Sequence, residues 1–164
     1  WQRGGSPAGR PGASPSPIPP GGPPLIDQRA ERMHAAVGSS PMFRGLPDAD
    51  RRRIESIATL RDLQKGDVLW NAGDPAEALT LIVKGRVKIV RHGANGDVIL
   101  EIFERGEPVG AIAVYARMAY PASAIALEPT TLLCLPATEW FELLERNPFV
   151  GGMRLGDVAR AIHK

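Results

Sequence analysis

At 164 residues, 43% of them hydrophobic and 23% charged, the chain is long enough to bury one substantial core and too short for several independent domains. Its formal charge of +2 arises in the first 24 residues, which carry Arg3 and Arg10 and no acid; the remaining 18 basic and 18 acidic side chains balance, which excludes a broad basic face for nucleic acid. One cysteine, Cys134, excludes an internal disulfide or a cysteine-held cluster, and no apolar run reaches the roughly 18 residues of a membrane span, so a reducing, cytoplasmic setting is expected.

In chain order, "WQRGGSPAGRPGASPSPIPPGGPP" (1–24) holds 8 Pro and 6 Gly. Such a composition can neither bury a core nor build a hydrogen-bonded ladder, and predicts a disordered leader. "LIDQRAERMHAAV" (25–37) places Ile26, Arg29/Ala30, Met33 and Val37 at helical spacing, with Gly38 as a stop. A second helix is expected from Pro47, which suits the first helical position, with Asp48 and Asp50 at the positive dipole end and Ile54 and Ile57 as its buried stripe.

After Leu60 the period changes to two: Leu79, Leu81 and Val83, then Val87 and Ile89, then Val98, Leu100 and Ile102. Glycines at 66, 73, 85, 93, 96, 106 and 110 punctuate these runs at intervals that suit short antiparallel strands joined by tight turns. "HGANGD" (92–97) predicts a hairpin turning on Asn95-Gly96. Strands resume at "SAIAL" and "TTLLCLP"; Thr138 is then expected to cap "EWFELLER", and Asn147 to cap a final helix with Pro148 at its first position. The expected class is mostly β with flanking helices: a double-stranded β-helix, or jelly roll, followed by a C-terminal helix running to Lys164.

This order of elements, with "FRGLPDADRRRI" (43–54), "LQKGDVLWNAGDPAEALTLIVKGRVKIVR" (63–91), "GEPVG" (106–110), "YPASAIALEPTTLLCLP" (120–136) and "LLERNP" (143–148), resembles the sensor half of the CRP/FNR family of bacterial transcription regulators. The resemblance covers roughly residues 40–164. It implies three segments: the leader 1–24, a cyclic-nucleotide-binding-like roll with N-terminal helices over 25–148, and the start of a dimerisation helix over 149–164. In that helix Leu155, Val158 and Ile162, with Met153 alongside, fall at coiled-coil-like spacing, so a homodimer is expected. Full-length relatives continue into a helix-turn-helix domain that reads DNA. No residue after Lys164 is present to form one, so the chain by itself is expected not to bind DNA specifically.

Family members that bind cyclic AMP follow a Gly with a Glu for the ribose, and later carry an Arg for the cyclic phosphate ahead of Ser/Thr-Ala. Here Gly110 matches, Ala111 stands at the Glu position, Ala122 stands at the Arg position, and Ser123 and Ala124 follow. Losing a charge-assisted Arg–phosphate contact costs about 1.5–3 kcal/mol and losing the ribose partner about 1 kcal/mol more, together roughly a hundredfold in affinity. Cyclic AMP is therefore not the expected effector. The pocket residues implied are Gly110, Ala111, Ile112, Ala113, Ala122, Ser123 and Ala124, with Arg117 a candidate to replace the missing charge from the loop. Their small, apolar character suits a flat hydrophobic cofactor, a small metabolite or gas effector, or an empty pocket.

Haem needs a His, Met or Cys ligand, and His34 and His163 are the candidates for it; an iron–sulfur cluster needs more cysteines than one. Glu107, His92, Cys134, Trp70 and Trp140 are expected in structural or solvated roles. The function expected is an effector-sensing regulatory domain that is not an enzyme. Its alternative is a ligand-free protein-interaction module on a degenerate version of the same fold; a metal-dependent roll enzyme is disfavoured because strands 68–135 offer only His92.

Overall fold

The computed structural model describes residues 25–147, with side chains from Gln28 onward. The leader 1–24 and the expected dimerisation helix, with Met153, Leu155, Val158, Ile162 and His163, lie outside the described residues.

The first amphipathic stretch forms α1, Leu25–Ser39, which buries Met33, Ala36 and Val37 and passes through Gly38 before ending one residue later. A 3-10 turn at Pro41–Phe43 follows, with the Ser40 hydroxyl accepting a hydrogen bond from the Met42 N–H at 3.3 Å; this sets Phe43 fully into the core. In α2, Asp48–Ile57, Asp48 and Asp50 occupy the first turn and Ile54 is buried. Pro47 is the N-cap and not the first helical residue, a one-position correction.

Eight strands then build the roll: β1 Thr59–Leu63, β2 Val68–Trp70, β3 Ala78–Lys84, β4 Arg86–Gly93, β5 Gly96–Glu104, β6 Pro108–Val109, β7 Ser123–Ala126 and β8 Thr130–Pro136. A short helix, α3 (Ala111–Ala116), interrupts them, and α4 (Ala137–Arg146) follows them. Two four-stranded sheets run β1-β8-β3-β6 and β2-β7-β4-β5, every pairing antiparallel. This is the mostly antiparallel roll with flanking helices that the glycine-spaced apolar runs lead one to expect.

Strands β3 and β8 explain why "LTLIV" and "TTLLCL" are almost continuously apolar: both of their faces are buried. Leu79, Leu81, Leu133 and Leu135 point at the helices, joining Met33, Val37, Phe43, Ile54, Trp140 and Leu143 in one core. Ile82 and Leu132 point the other way, into a second core between the sheets with Leu69, Trp70, Val87, Val109, Tyr120 and Ala124. Trp140 is completely buried; its indole N–H donates to the Tyr115 hydroxyl at 3.1 Å, and its ring meets Phe43 edge-on at 5.9 Å.

Local details depart from the sequence expectation at two turns, and the helix that Asn147 is expected to cap lies outside the described residues. Gly93 pairs with Gly96, so the hairpin turn is Ala94–Asn95, one residue earlier than expected, and within that hairpin Gly96 takes the positive φ, 109°. Thr138 caps nothing: the Ala137 N–H is held by the Glu77 carbonyl at 2.9 Å, so α4 starts directly from the end of β8 with no side-chain cap. Asn147 closes α4, its side-chain amide donating to the Leu143 carbonyl and to the Asp50 carboxylate at 2.9 Å. Finally, Val98, Leu100 and Ile102 alternate as a strand should but stand nearly half exposed, because β5 is paired only with β4.

Candidate ligand-binding hollow

The turn at Gly110 sets the geometry of the site. Gly110 adopts the left-handed conformation (φ 69°, ψ 23°) ahead of α3, and a Cβ there would lie 2.8 Å from ring atoms of both Trp70 and Tyr120. Only glycine combines that backbone with that approach. The two rings stack face to face, 3.7 Å between centroids and 4° between planes.

The stack is held at both ends. The Trp70 indole N–H donates to the Ala122 carbonyl at 3.0 Å, while Tyr120 exchanges backbone hydrogen bonds with the 73–74 turn, Tyr120 N–H to Asp74 O and Gly73 N–H to Tyr120 O. Burial, with lesser contributions from Cys134 and Asp74, pushes the Tyr120 hydroxyl up to about 12, so it stays a neutral group over the physiological range.

Beside the stack lies an open hollow of about 400 Å³, a size in the range of small-molecule sites. Gly110, Ala111, Ile112 and Ala113 form one wall, Trp70, Tyr120, Pro121 and Ala122 a second, and Ile89, Glu101 and Phe103 of the β4–β5 hairpin a third. Ala111 and Ala122, which the resemblance aligns with the ribose Glu and the phosphate Arg, both line it. Among the described residues no Lys, Arg or His does.

The remaining expected pocket residues sit elsewhere. Ser123 is buried and its hydroxyl accepts the Ala72 N–H at 3.0 Å; Ala124 is wholly buried in the core between the sheets. Neither lines the hollow. Arg117 does not replace the missing charge. It ends α3 in the left-handed conformation (φ 56°, ψ 46°) and its guanidinium stands 4.5 Å from the centroid of the Phe141 ring on α4, turned away into a neighbouring cleft shared with Val114 and Met118.

His34 lies on the outer side of α1 facing the Glu55 carboxylate at 3.0 Å, and does not line the hollow; His92 faces Asp97 at 2.7 Å on the hairpin tip. Met118 on the rim is the one sulfur donor in the lining, so the described residues do not fit a haem held by histidine. Among the described residues no group of three or more His, Cys, Asp or Glu is placed to hold a metal ion. Cys134 is half-buried against the core between the sheets, and burial raises its thiol pKa.

The sequence reading did not include Trp70, Tyr120, Phe103 or Glu101 in the site. They come from β2, β5 and the loop before β7, far apart in sequence, and only the pairing of β4 with β5 and β7 and of β2 with β7 unites them. The dipeptide "YP" before Ala122 was visible but carried no signal of stacking.

A two-sheet antiparallel roll with a glycine-led short helix beside the hollow is the class of fold that these residues define. The family model of the cyclic nucleotide-binding domain matches residues 60–147, and the chain belongs to that family. It is 29% identical over 126 residues to a cyclic AMP receptor protein of Thermus thermophilus, an alignment covering 76% of this chain and 58% of the relative. It is also 31% identical over 84 residues to a lysophospholipase of Aspergillus niger, covering 51% of this chain but 6% of that protein. Among solved structures, the N-terminal domain of a transcriptional regulator from Streptomyces coelicolor superposes with a TM-score of 0.60 at 26% identity, covering 78% of this chain and 92% of that one. The chain thus spans 58% of the receptor's length and a small fraction of the lysophospholipase's. No helix among the described residues is long and apolar enough to cross a membrane.

Proposed function

We propose that the chain is the effector-sensing domain of a CRP/FNR-type transcription regulator and that cyclic AMP is not its effector. One observation supports this: Ala111 and Ala122, which the resemblance aligns with the ribose and phosphate positions, line the hollow, and among the described residues no basic side chain lines it. A phosphate placed there gives up its hydration without a charge-assisted partner, which costs several kcal/mol.

In this reading the domain binds and signals and catalyses no reaction. The signal leaves the hollow through α3, whose first residues form its wall and whose C-cap, Arg117, stands on Phe141 of α4. An effector that binds the hollow in one setting of α3 better than in another shifts the population of α4 positions. Residues 149–164, carrying Leu155, Val158 and Ile162, then pair with a second copy and set the DNA-reading domain of the longer protein. The same homology to a lysophospholipase makes a non-transcriptional context the competing outcome.

The test is a thermal-shift comparison with cyclic AMP. A ligand at about a hundred times its Kd stabilises a fold by about 2.7 kcal/mol. With about 1 mM cyclic AMP the wild-type chain is expected to show no shift, since its Kd would lie at or above the millimolar range. A shift of several degrees at micromolar nucleotide overturns the proposal.

A further inference from the structure

Resting on the reading of this hollow as the effector site, we infer that its occupant is an organic cation: an amine or quaternary ammonium with a compact apolar body. The walls bring three aromatic rings, Trp70, Phe103 and Tyr120, together with a single carboxylate, Glu101, and no positive side chain. That combination is the inverse of a phosphate site. An anion meets repulsion and no donor with charge, a neutral apolar molecule meets only surface, and a cation meets aromatic surface and a counter-charge.

Glu101 is available for the role. It lies on β5 opposite Ile89, is exposed, and forms none of the ion pairs found among the described residues, whereas Glu128 and Glu139 each face an arginine. Glu101 is paired with Ile89 and alternates with Phe103, which is paired with Val87, so the strand period puts Glu101, Ile89 and Phe103 on one face and into the hollow's wall; the bulge lies beyond them, between Ile89 and Val90. The lone charge within an otherwise apolar lining is therefore set by the backbone. Two of the rings are equally fixed: Trp70 and Tyr120 are buried and stacked on one another, the Trp70 indole is tied to the Ala122 carbonyl and the Tyr120 backbone to the 73–74 turn, so little ordering is required when a ligand arrives. The Tyr120 hydroxyl, held neutral by its surroundings, adds no competing anion.

The probes are benzyltrimethylammonium, benzyl alcohol and benzoate, which present one ring with positive, neutral and negative heads. Binding to the full chain is read by quenching of tryptophan fluorescence and by calorimetry. The ammonium is expected to bind about tenfold or more tightly than the alcohol, and benzoate more weakly than either. Glu101→Gln, at an exposed position that leaves the fold intact, is expected to remove most of the ammonium's advantage while leaving the alcohol unchanged. Glu101→Lys is expected to reverse the order, with benzoate preferred. Equal binding of all three heads, a ratio that survives Glu101→Gln, or no binding of any probe up to about 10 mM overturns the inference while leaving the absence of a phosphate clamp standing. Micromolar cyclic AMP binding by the wild-type chain would instead remove the reading on which it rests.

Discussion

Gly110 is where the residue scale decides the site. A side chain there collides with Trp70 and Tyr120 at 2.8 Å and demands a left-handed backbone as well. Gly110→Ala is therefore expected to lower stability by about 2–3 kcal/mol, seen as a lower urea midpoint with an unchanged slope. An unchanged midpoint would mean that the stack yields at no cost. Tyr120 offers an independent check through pH. Its hydroxyl ionises near 10 when unfolded and near 12 when folded, so the unfolded chain releases its proton first and stability falls as pH rises from about 10 to 12. Below pH 10 this contribution is fully present. Tyr120→Phe should flatten that alkaline decline relative to wild type in chemical denaturation measured at several pH values. The alanines at 111 and 122 were legible in the sequence because a motif frames them, and both stand in the hollow. Arg117 was misread because a side chain's distance along the chain says nothing of the direction in which a left-handed residue sends it; here it goes to Phe141.

At the scale of the element, α4 carries the most weight per residue. Trp140, Leu143 and Leu144 are buried on one side, and Phe141 meets Arg117 and Tyr115 on another. Trp140→Ala removes a fully buried indole and strands the Tyr115 hydroxyl, and is expected to cost about 3–5 kcal/mol. Phe141→Ala leaves the core of α4 in place but uncouples it from the end of α3. In a binding assay with any ligand of the hollow it should leave affinity within a few fold while abolishing the ligand-induced change in α4, read by a fluorophore placed at Glu142. Element type was clear from the periods of the apolar residues, two in the roll and nearly four in the helices. The element ends were not, because they depend on partners far along the chain. Thr138 looks like a cap until Glu77, sixty residues earlier, takes the Ala137 N–H and the helix starts two positions sooner. Likewise Val98, Leu100 and Ile102 have a strand's alternation, and only the strand order shows that β5 lies at an edge.

For the whole molecule, two cores share the β3–β8 pair, one beneath the helices and one between the sheets. A change in the hollow is thereby connected through packed side chains to the helical side, where Asp50 on α2 is joined to both Arg146 and Asn147 at the end of α4. The chemistry of the hollow is the feature on which the functional account depends. Titration calorimetry of cyclic AMP into the wild-type chain and into the double variant Ala111→Glu/Ala122→Arg tests it most directly. No heat of binding is expected for the wild type at micromolar concentrations, and a gain of about a hundredfold or more in affinity for the variant. Micromolar binding by the unaltered chain, with no improvement on restoring the two charges, would contradict it.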